Sequence, residues 1–168
     1  MQHAIGISVH TGWAACVVVG GSPAKPEIIA NEVIEILGDS ERFCFHMAEQ
    51  MKRADAEKWI AQVRKKATAN AKQALATLVT KEVRVCAIVA KAGAVLDLDK
   101  VLASHSLIHA AEGHFYRDVL REACSIPIQL VPPSSLDPSR IGKLTAPPWG
   151  RDQKLAALAA WTVMGTAS

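Results

Sequence analysis

The most constraining feature of the sequence is a pair of apolar runs near the start of the chain. The runs cover residues 4–9 and 14–19, and a tight link with a glycine, 10–13, separates them. Short apolar runs that flank such a link are typical of a β-hairpin. We therefore predict that a hairpin opens a sheet and that the later elements are added to it.

A third strand and two helices are predicted to follow the hairpin. The stretch 27–37 is half apolar and follows a turn rich in proline, so we predict a strand that completes an antiparallel meander. Asp39 or Ser40 can begin a helix, and Asp55 is a favourable N-cap for a longer helix over residues 56–79. The longer helix repeats apolar residues at three- and four-residue steps, which is typical of one face packed on a core.

The second half of the chain alternates strands with helices. Residues 83–89 form a nearly continuous apolar run, which favours a strand that is buried on both faces. A helix is predicted from Asp97 or Asp99 to about residue 124. A short strand over 126–131, a proline-bearing loop over 134–150 and a last helix over 151–164 complete the chain.

The order of these elements constrains the fold class. Helices precede the fourth and fifth strands, so right-handed crossovers can place both strands parallel to the first. We predict a single α/β domain over residues 1–168, with a mixed five-stranded sheet in the order 3-2-1-4-5. Strand 2 is expected to be antiparallel to strands 1, 4 and 5, and helices are expected to cover both faces of the sheet.

Two short motifs resemble those of the ribonuclease H-like family, which includes Holliday-junction resolvases and transposases. The first strand of that family alternates apolar residues around a glycine before an acid, and residues 5–10 here are Ile-Gly-Ile-Ser-Val-His. The last helix of the family carries an acid in its early turns before an alanine- and leucine-rich stretch, as Asp152 does here. The resemblance in element order spans essentially the whole chain and implies a ribonuclease H-like fold.

The metal ligands of that family are largely missing. Its nucleases hold two divalent cations with carboxylates from strand 1, strand 4 and the last helix, because hard cations need oxygen ligands. Ser8 stands at the strand 1 position, Lys91 follows strand 4, and Asp152 alone is a match. The middle domain of eukaryotic-type translation release factors has a similar element order without the metal site. The resemblance therefore implies a non-catalytic version of the fold.

Four residues around the predicted hairpin tip form a candidate pocket. They are Ser8, His10, Lys91 and Asp152. Nucleophilic chemistry there would need a base within hydrogen-bonding distance of the serine. The alternative, which we favour, is an ordinary turn in which Gly12 serves the backbone geometry and Trp13 packs.

The helix before strand 5 carries a polar stripe. His105, His109, Glu112 and Tyr116 recur at i, i+4, i+7 and i+11, so they share one helix face. Two histidines one turn apart with a nearby carboxylate can bind zinc. We favour an ordinary polar or half-buried helix face, and we assign no metal site and no cofactor. Arg117 beside the stripe and Lys154 in the last helix complete the candidate ligand or partner contacts.

The same helix predicts self-association. It carries more apolar side chains than one sheet-facing stripe requires, and an interface core is typically rich in such residues and in aromatics. These side chains are Leu107, Ile108, Phe115, Tyr116, Val119 and Leu120. Gly113 in the middle of a helix suggests that a neighbouring backbone approaches closely. We therefore predict a homodimer joined through this helix.

Charge and composition limit the other partners. The net charge is +3, which is too small to indicate nucleic acid by itself. The basic face of the helix over 56–79 is expected to be solvated, and one tyrosine and three phenylalanines leave few rings for base stacking. Nucleic acid stays open as a partner, without support from the charge.

The cysteines and the hydropathy predict a cytoplasmic protein. The four cysteines are widely spaced in apolar surroundings, so we expect reduced core thiols rather than disulfides or a zinc site. We find no signal peptide, and no apolar run approaches the ~20 residues that a membrane helix needs. We therefore expect no membrane contact.

Together these features predict a non-catalytic binding or interaction module. The alternative is a divergent nuclease or phosphotransferase that acts on nucleic acid through His10, Lys91 and Asp152. The two predictions differ in whether the bound ligand is turned over.

Overall fold

The protein contains a five-stranded sheet with helices on both faces. A computed structural model describes residues 2–94 and 96–165. The strands are β1 (His3–His10), β2 (Trp13–Ser22), β3 (Lys25–Glu35), β4 (Val83–Val89) and β5 (Ile128–Val131). Their order is β3-β2-β1-β4-β5, with β2 antiparallel to β1 and β3, and with β1, β4 and β5 parallel. The predicted strand order and directions are therefore confirmed.

The described residues form five α-helices. They are α1 (Cys44–Ala48), α2 (Arg53–Ala76), α3 (Leu98–Leu102), α4 (His105–Ala123) and α5 (Arg151–Met164). Of these helices, α2, α4 and α5 contact the sheet. One core contains buried residues of α2 and α4 against one face of the sheet, and a second core packs α5 against the other face. Of the described helices, none is long and apolar enough to cross a membrane.

The β1–β2 hairpin and the packing of α5 determine where β1 points its side chains. Because successive residues of a strand face opposite sides, Ile5 and Ile7 belong to the α2–α4 core, whereas Ala4 belongs to the α5 core. Gly6 shares the α5 face, and a Cβ built on it would lie 1.8 Å from the carbonyl oxygen of Ala156. The glycine therefore lets the backbone of α5 lie directly against β1.

The turn of this hairpin has the geometry that its glycine indicates. Thr11 and Gly12 are the two residues between the strands, and Gly12 has a φ of +88°. That conformation is unfavourable for residues with a Cβ. The Gly12 carbonyl also accepts hydrogen bonds from the backbone N–H groups of Ile36 and Leu37, at 2.8 and 3.0 Å, which fastens the turn to the chain after β3.

Several predicted boundaries are wrong by a few residues. The helix expected from Asp39 or Ser40 begins only at Cys44, because residues 39–43 form turns. The long helix begins at Arg53, so Asp55 lies in its first turn and does not cap it. There the carboxylate still interacts favourably with the N-terminal end of the helix dipole.

The helix predicted from Asp97 or Asp99 to about residue 124 is two helices. Asp97 caps α3 as expected, since its side chain accepts a hydrogen bond from the Lys100 N–H at 3.1 Å. Ser104 then adopts an extended conformation, with φ −142° and ψ 115°, and this ends one helix before α4 begins. The fifth strand is also shorter than expected, because pairing with β4 begins at Ile128 rather than at residue 126.

The homodimer prediction rests on the excess apolar surface of α4, and this surface is covered within a single chain. Ile108, Phe115, Tyr116, Val119 and Leu120 are all buried against the rest of the same molecule. The excess apolar surface of α4 therefore contacts α2, α1 and the sheet, because this helix lies between other layers of the fold. Within the chain no backbone approaches Gly113 closely, since a Cβ at this position would have nothing within 4 Å.

The cysteines are free thiols, as predicted. Cys16, Cys44 and Cys86 are buried and Cys124 is half-buried. Burial raises the pKa of the Cys16 thiol to about 12 and that of the Cys44 thiol to about 12. The Cys86 thiol hydrogen-bonds to the sulfur of Cys124 and lowers its pKa to about 7.

Candidate functional site

Three of the four residues of the candidate pocket are joined by hydrogen bonds. Ser8 Oγ donates to Asp152 Oδ1 at 3.1 Å, and His10 Nε2 lies 2.7 Å from the same carboxylate oxygen. Ser8 is buried with 5% of its surface exposed, while Asp152 and His10 are partly exposed. The cluster lies where the end of β1 meets the first turn of α5.

Local structure explains why these side chains meet. Ser8 lies two residues after Gly6 on the same face of β1, so the close approach of α5 at the glycine brings the start of that helix to the serine. The Gln153 side chain accepts a hydrogen bond from the Gly150 N–H at 3.0 Å, which fixes the first turn of α5. His10 stacks on Trp13, with ring centroids 4.2 Å apart and an interplanar angle of 5°.

The hydrogen bonds of this cluster differ from those of a serine–histidine–aspartate relay. Ser8 bonds directly to the carboxylate of Asp152, and His10 bonds to the same oxygen instead of to the serine. A serine nucleophile needs a base that accepts its proton. The cluster also provides one carboxylate where a two-metal site would need several oxygen ligands.

Lys91 lies beside this cluster in the wall of an open cleft of about 420 Å³. The titratable side chains that line the cleft are His10, Lys91, His109, His114 and Arg117. Among the described lining residues none is acidic, and Lys91 gives the cleft an exposed positive charge. The Arg117 guanidinium is buried, and its Nε lies 3.5 Å from Asp118 Oδ1. Such a lining favours anions.

Arg117 supports the shape of this cleft. It is buried with 8% of its surface exposed, and its Nη1 donates to the carbonyl of Lys91 at 2.9 Å. Its Nη2 lies 2.5 Å from His114 Nδ1. Desolvation and the Arg117 charge lower the pKa of His114 below its ordinary value, so the imidazole is neutral at neutral pH. Arg117 thereby holds the backbone of Lys91 while the Lys91 side chain remains exposed.

The polar stripe of α4 is divided between surface and core. His105 and His109 are exposed, and their Nε2 atoms are 3.1 Å apart. Glu112 is buried with 2% of its surface exposed, and its Oε1 lies 2.9 Å from Nδ1 of His46 in α1. Tyr116 is fully buried and donates to the carbonyl of Arg42 at 2.5 Å. Burial raises the pKa of the Tyr116 hydroxyl, which makes it a structural donor.

The sequence analysis did not identify His46 as a candidate site residue. It lies 59 residues before His105, on a helix of five residues whose start was predicted elsewhere. No spacing rule connects it with the histidines of α4, and the fold brings them together.

Lys154, the remaining candidate, is half-buried in α5 two residues after Asp152. Residues two apart on a helix do not face each other, so Lys154 points away from the Ser8–Asp152 contact.

The basic face of α2 is partly neutralised. Lys66 Nζ lies 2.5 Å from a carboxylate oxygen of Glu41, and the Arg64 guanidinium pairs with Glu122. These exposed ion pairs agree with the expected solvated face. They also make α2 a weaker phosphate-binding surface than its sequence alone suggests.

Comparison with solved structures identifies the fold. The chain is similar to RuvC of Thermus thermophilus in complex with a Holliday junction substrate, with 13% identity and a TM-score of 0.56 over 96% of this chain and 92% of that chain. A second structure of the same protein is 14% identical over the same shares, with a TM-score of 0.49. No family model and no curated protein matches the sequence. The first similarity shows a RuvC-like α/β fold, which is the fold that the resemblance in element order implied.

Proposed function

We propose that this chain is a non-catalytic ribonuclease H-like module that binds nucleic acid through phosphate contacts in the Lys91 cleft. The supporting observation is the lining of that cleft, which contains lysine, arginine and histidine side chains and no acid among its described residues. The RuvC structure of similar fold is bound to a Holliday junction substrate, and branched DNA is therefore the first ligand to test.

Lys91 is the residue best placed for a phosphate contact. It lies two residues after the end of β4 and is exposed, and its backbone is held by the buried Arg117. An exposed lysine can neutralise a phosphate and release its counterions, which favours binding at low salt. Because such contacts carry no base information, we expect shape rather than sequence to decide the preferred ligand.

The same geometry argues against cleavage. The hydroxyl of Ser8 and the ring of His10 both bond to Asp152, so one carboxylate serves as an acceptor within the protein. The alternative function, a divergent nuclease or phosphotransferase, would instead use the His10–Asp152 pair for proton transfer. That alternative predicts turnover of the bound nucleic acid, whereas our proposal predicts binding alone.

A direct test measures binding of a fluorescent four-way DNA junction across a range of salt concentrations. We expect that Lys91→Gln weakens binding and reduces the slope of log affinity against log salt by about 1, as for the loss of one phosphate contact. Lys81→Gln is the matched control, because Lys81 is exposed and precedes β4 at its opposite end. Absence of binding at low salt, or equal effects of the two variants, would contradict the proposal.

The homodimer remains a proposal, now on a different surface. Strand β3 is an edge of the sheet, and Ile29 and Val33 on it are 51% and 49% exposed. An edge strand with exposed apolar side chains is a ready surface for pairing with a second copy. Light scattering at micromolar concentration measures the oligomeric state and tests this proposal. Val33→Lys should favour the monomer. Tyr116→Phe, at a buried position in α4, should leave the oligomeric state unchanged.

A further inference from the structure

Three histidines from two helices converge at the surface beside the Lys91 cleft. His46 comes from α1, whereas His105 and His109 lie one turn apart at the start of α4. The ring centroids are 4.6 to 5.2 Å apart. One ring nitrogen from each residue lies within 4.8 Å of the others. We propose that this cluster, His46 with His105 and His109, is a binding site for a single Zn²⁺ ion.

The donor set is suited to zinc. Neutral imidazole binds borderline metals such as zinc, while calcium and magnesium require oxygen ligands. Two nitrogens bound to one tetrahedral zinc at about 2.0–2.1 Å lie roughly 3.3 Å apart. The Nε2 atoms of His105 and His109 are already 3.1 Å apart. The spacing of the i, i+4 pair on α4 is therefore close to that of two ligands of one tetrahedral zinc. The ring nitrogen of His46 lies within 4.8 Å of the other two, so the His46 side chain has to move closer when the ion binds.

Glu112 provides an independent observation that points to a metal. Its carboxylate is 2% exposed, and Oε1 lies 2.9 Å from Nδ1 of His46 and 3.4 Å from the His46 backbone nitrogen. Histidines that bind metals commonly donate their second ring N–H to a carboxylate, which fixes the tautomer and orients the ring. Here that contact leaves Nε2 of His46 as the metal ligand. Glu112 thus acts as a positioning residue rather than as the ligand that its place in the sequence suggests.

The environment also accommodates a cation with an open coordination position. A buried carboxylate is costly unless positive charge compensates it, and a metal one ring away from Glu112 would supply that charge. His105 and His109 are exposed, so solvent can provide the fourth ligand. His109 also lines the Lys91 cleft. The zinc site itself depends only on the histidines and Glu112, and it stands or falls separately from nucleic-acid binding.

The test is a titration of the full chain, freed of metal by a chelator, with Zn²⁺ against a chromophoric competitor at pH 7.5. We expect one zinc per chain and a loss of affinity of about tenfold or more in His105→Ala and in His109→Ala. Glu112→Gln keeps the side-chain shape, and we expect a loss of about 10- to 100-fold, as is typical for a carboxylate behind a ligating histidine. His3→Gln is the control, because His3 lies at the start of β1 and is not one of the three clustered histidines.

Two further measurements distinguish zinc binding by the three histidines from a purely structural role of their side chains. Zinc should raise the thermal midpoint of the wild type and of His3→Gln, but not that of His105→Ala, because a ligand that binds the native state stabilises it. Affinity should also fall as the pH is lowered, because protons compete with zinc for the ring nitrogens of the ligands. Equal affinity in the wild type and the histidine variants, no binding at all, or thiolate absorption bands on Co²⁺ substitution would overturn the proposal.

Discussion

Ser8 Oγ donates a hydrogen bond to Asp152 Oδ1 across 3.1 Å, and this contact joins β1 to α5 between residues 144 positions apart. In the family that the sequence resembles, acids from these two elements hold catalytic metal. In this chain β1 carries the Ser8 hydroxyl, and it bonds to the Asp152 carboxylate at the start of α5. The contact links the sheet to its last helix.

Removal of this link should destabilise the protein modestly. We expect Ser8→Ala to lower the free energy of unfolding by about 1–2 kcal/mol, because a buried hydrogen bond to a charged acceptor is lost. Urea unfolding measures the effect, and Ser40→Ala at an exposed turn is the control with a change near zero. A stability of Ser8→Ala equal to that of the wild type would show that the contact is not formed in solution.

Two glycines offer a contrast in packing. Gly6→Ala should lower the free energy of unfolding by about 3 kcal/mol or more, because its Cβ would overlap the Ala156 carbonyl oxygen and push α5 from the sheet. Gly113→Ala should instead raise it by about 0.5–1 kcal/mol, since the position is helical and its surroundings are open. Denaturant unfolding of both variants is the measurement. If Gly113→Ala were the more destabilising change, the packing described for β1 and α4 would be incorrect.

Cys124 should be the most reactive thiol of the native protein. Its pKa is lowered to about 7 by the hydrogen bond with Cys86, whereas burial raises the pKa values of Cys16 and Cys44 to about 12. The thiolate is the reactive form, so alkylation of Cys124 by iodoacetamide should reach half of its maximal rate near pH 7. Peptide mass spectrometry resolves the four sites. Labelling of Cys44 before Cys124 in native protein would contradict this prediction.

His114 should lower the free energy of unfolding as the pH becomes acidic. Desolvation and Arg117 lower its pKa in the folded state, so the unfolded chain takes up this proton first as the pH falls. Stability should therefore decrease below about pH 6.5, the ordinary histidine pKa, until the lowered folded-state pKa is passed. His114→Gln should show a flatter profile of unfolding free energy between pH 7 and 5 than the wild type. Identical profiles would count against a lowered His114 pKa.

The sequence predicted the sheet well because its signals are local. The hairpin runs, the glycine at position 12 and the apolar run of β4 each act within a few residues, and chirality then restricts how the strands connect. The break at Ser104 was missed because its residues are compatible with a continuous helix, and α3 and α4 separate only to fit the core. The excess apolar surface of α4 was misassigned for a related reason, since sequence does not show how many layers cover a helix.

The sites were predicted in part. Ser8, His10 and Asp152 are joined by hydrogen bonds, and their functional role stays a prediction. The partner of Glu112 could not be predicted, because His46 belongs to a short helix that only the tertiary structure positions. Contacts between distant elements of this kind leave no periodic trace in a sequence.

The most direct measurement of the central claim is a cleavage assay with the branched DNA that we propose as the ligand. Purified protein is incubated with a labelled four-way DNA junction, and separately with an RNA–DNA hybrid, in Mg²⁺ or in Mn²⁺, and the strands are resolved on a denaturing gel. We predict a shifted junction on a native gel and intact strands on the denaturing gel, because a single carboxylate cannot hold two metals. Strand cleavage that disappears in Asp152→Asn would contradict the assignment of a non-catalytic module.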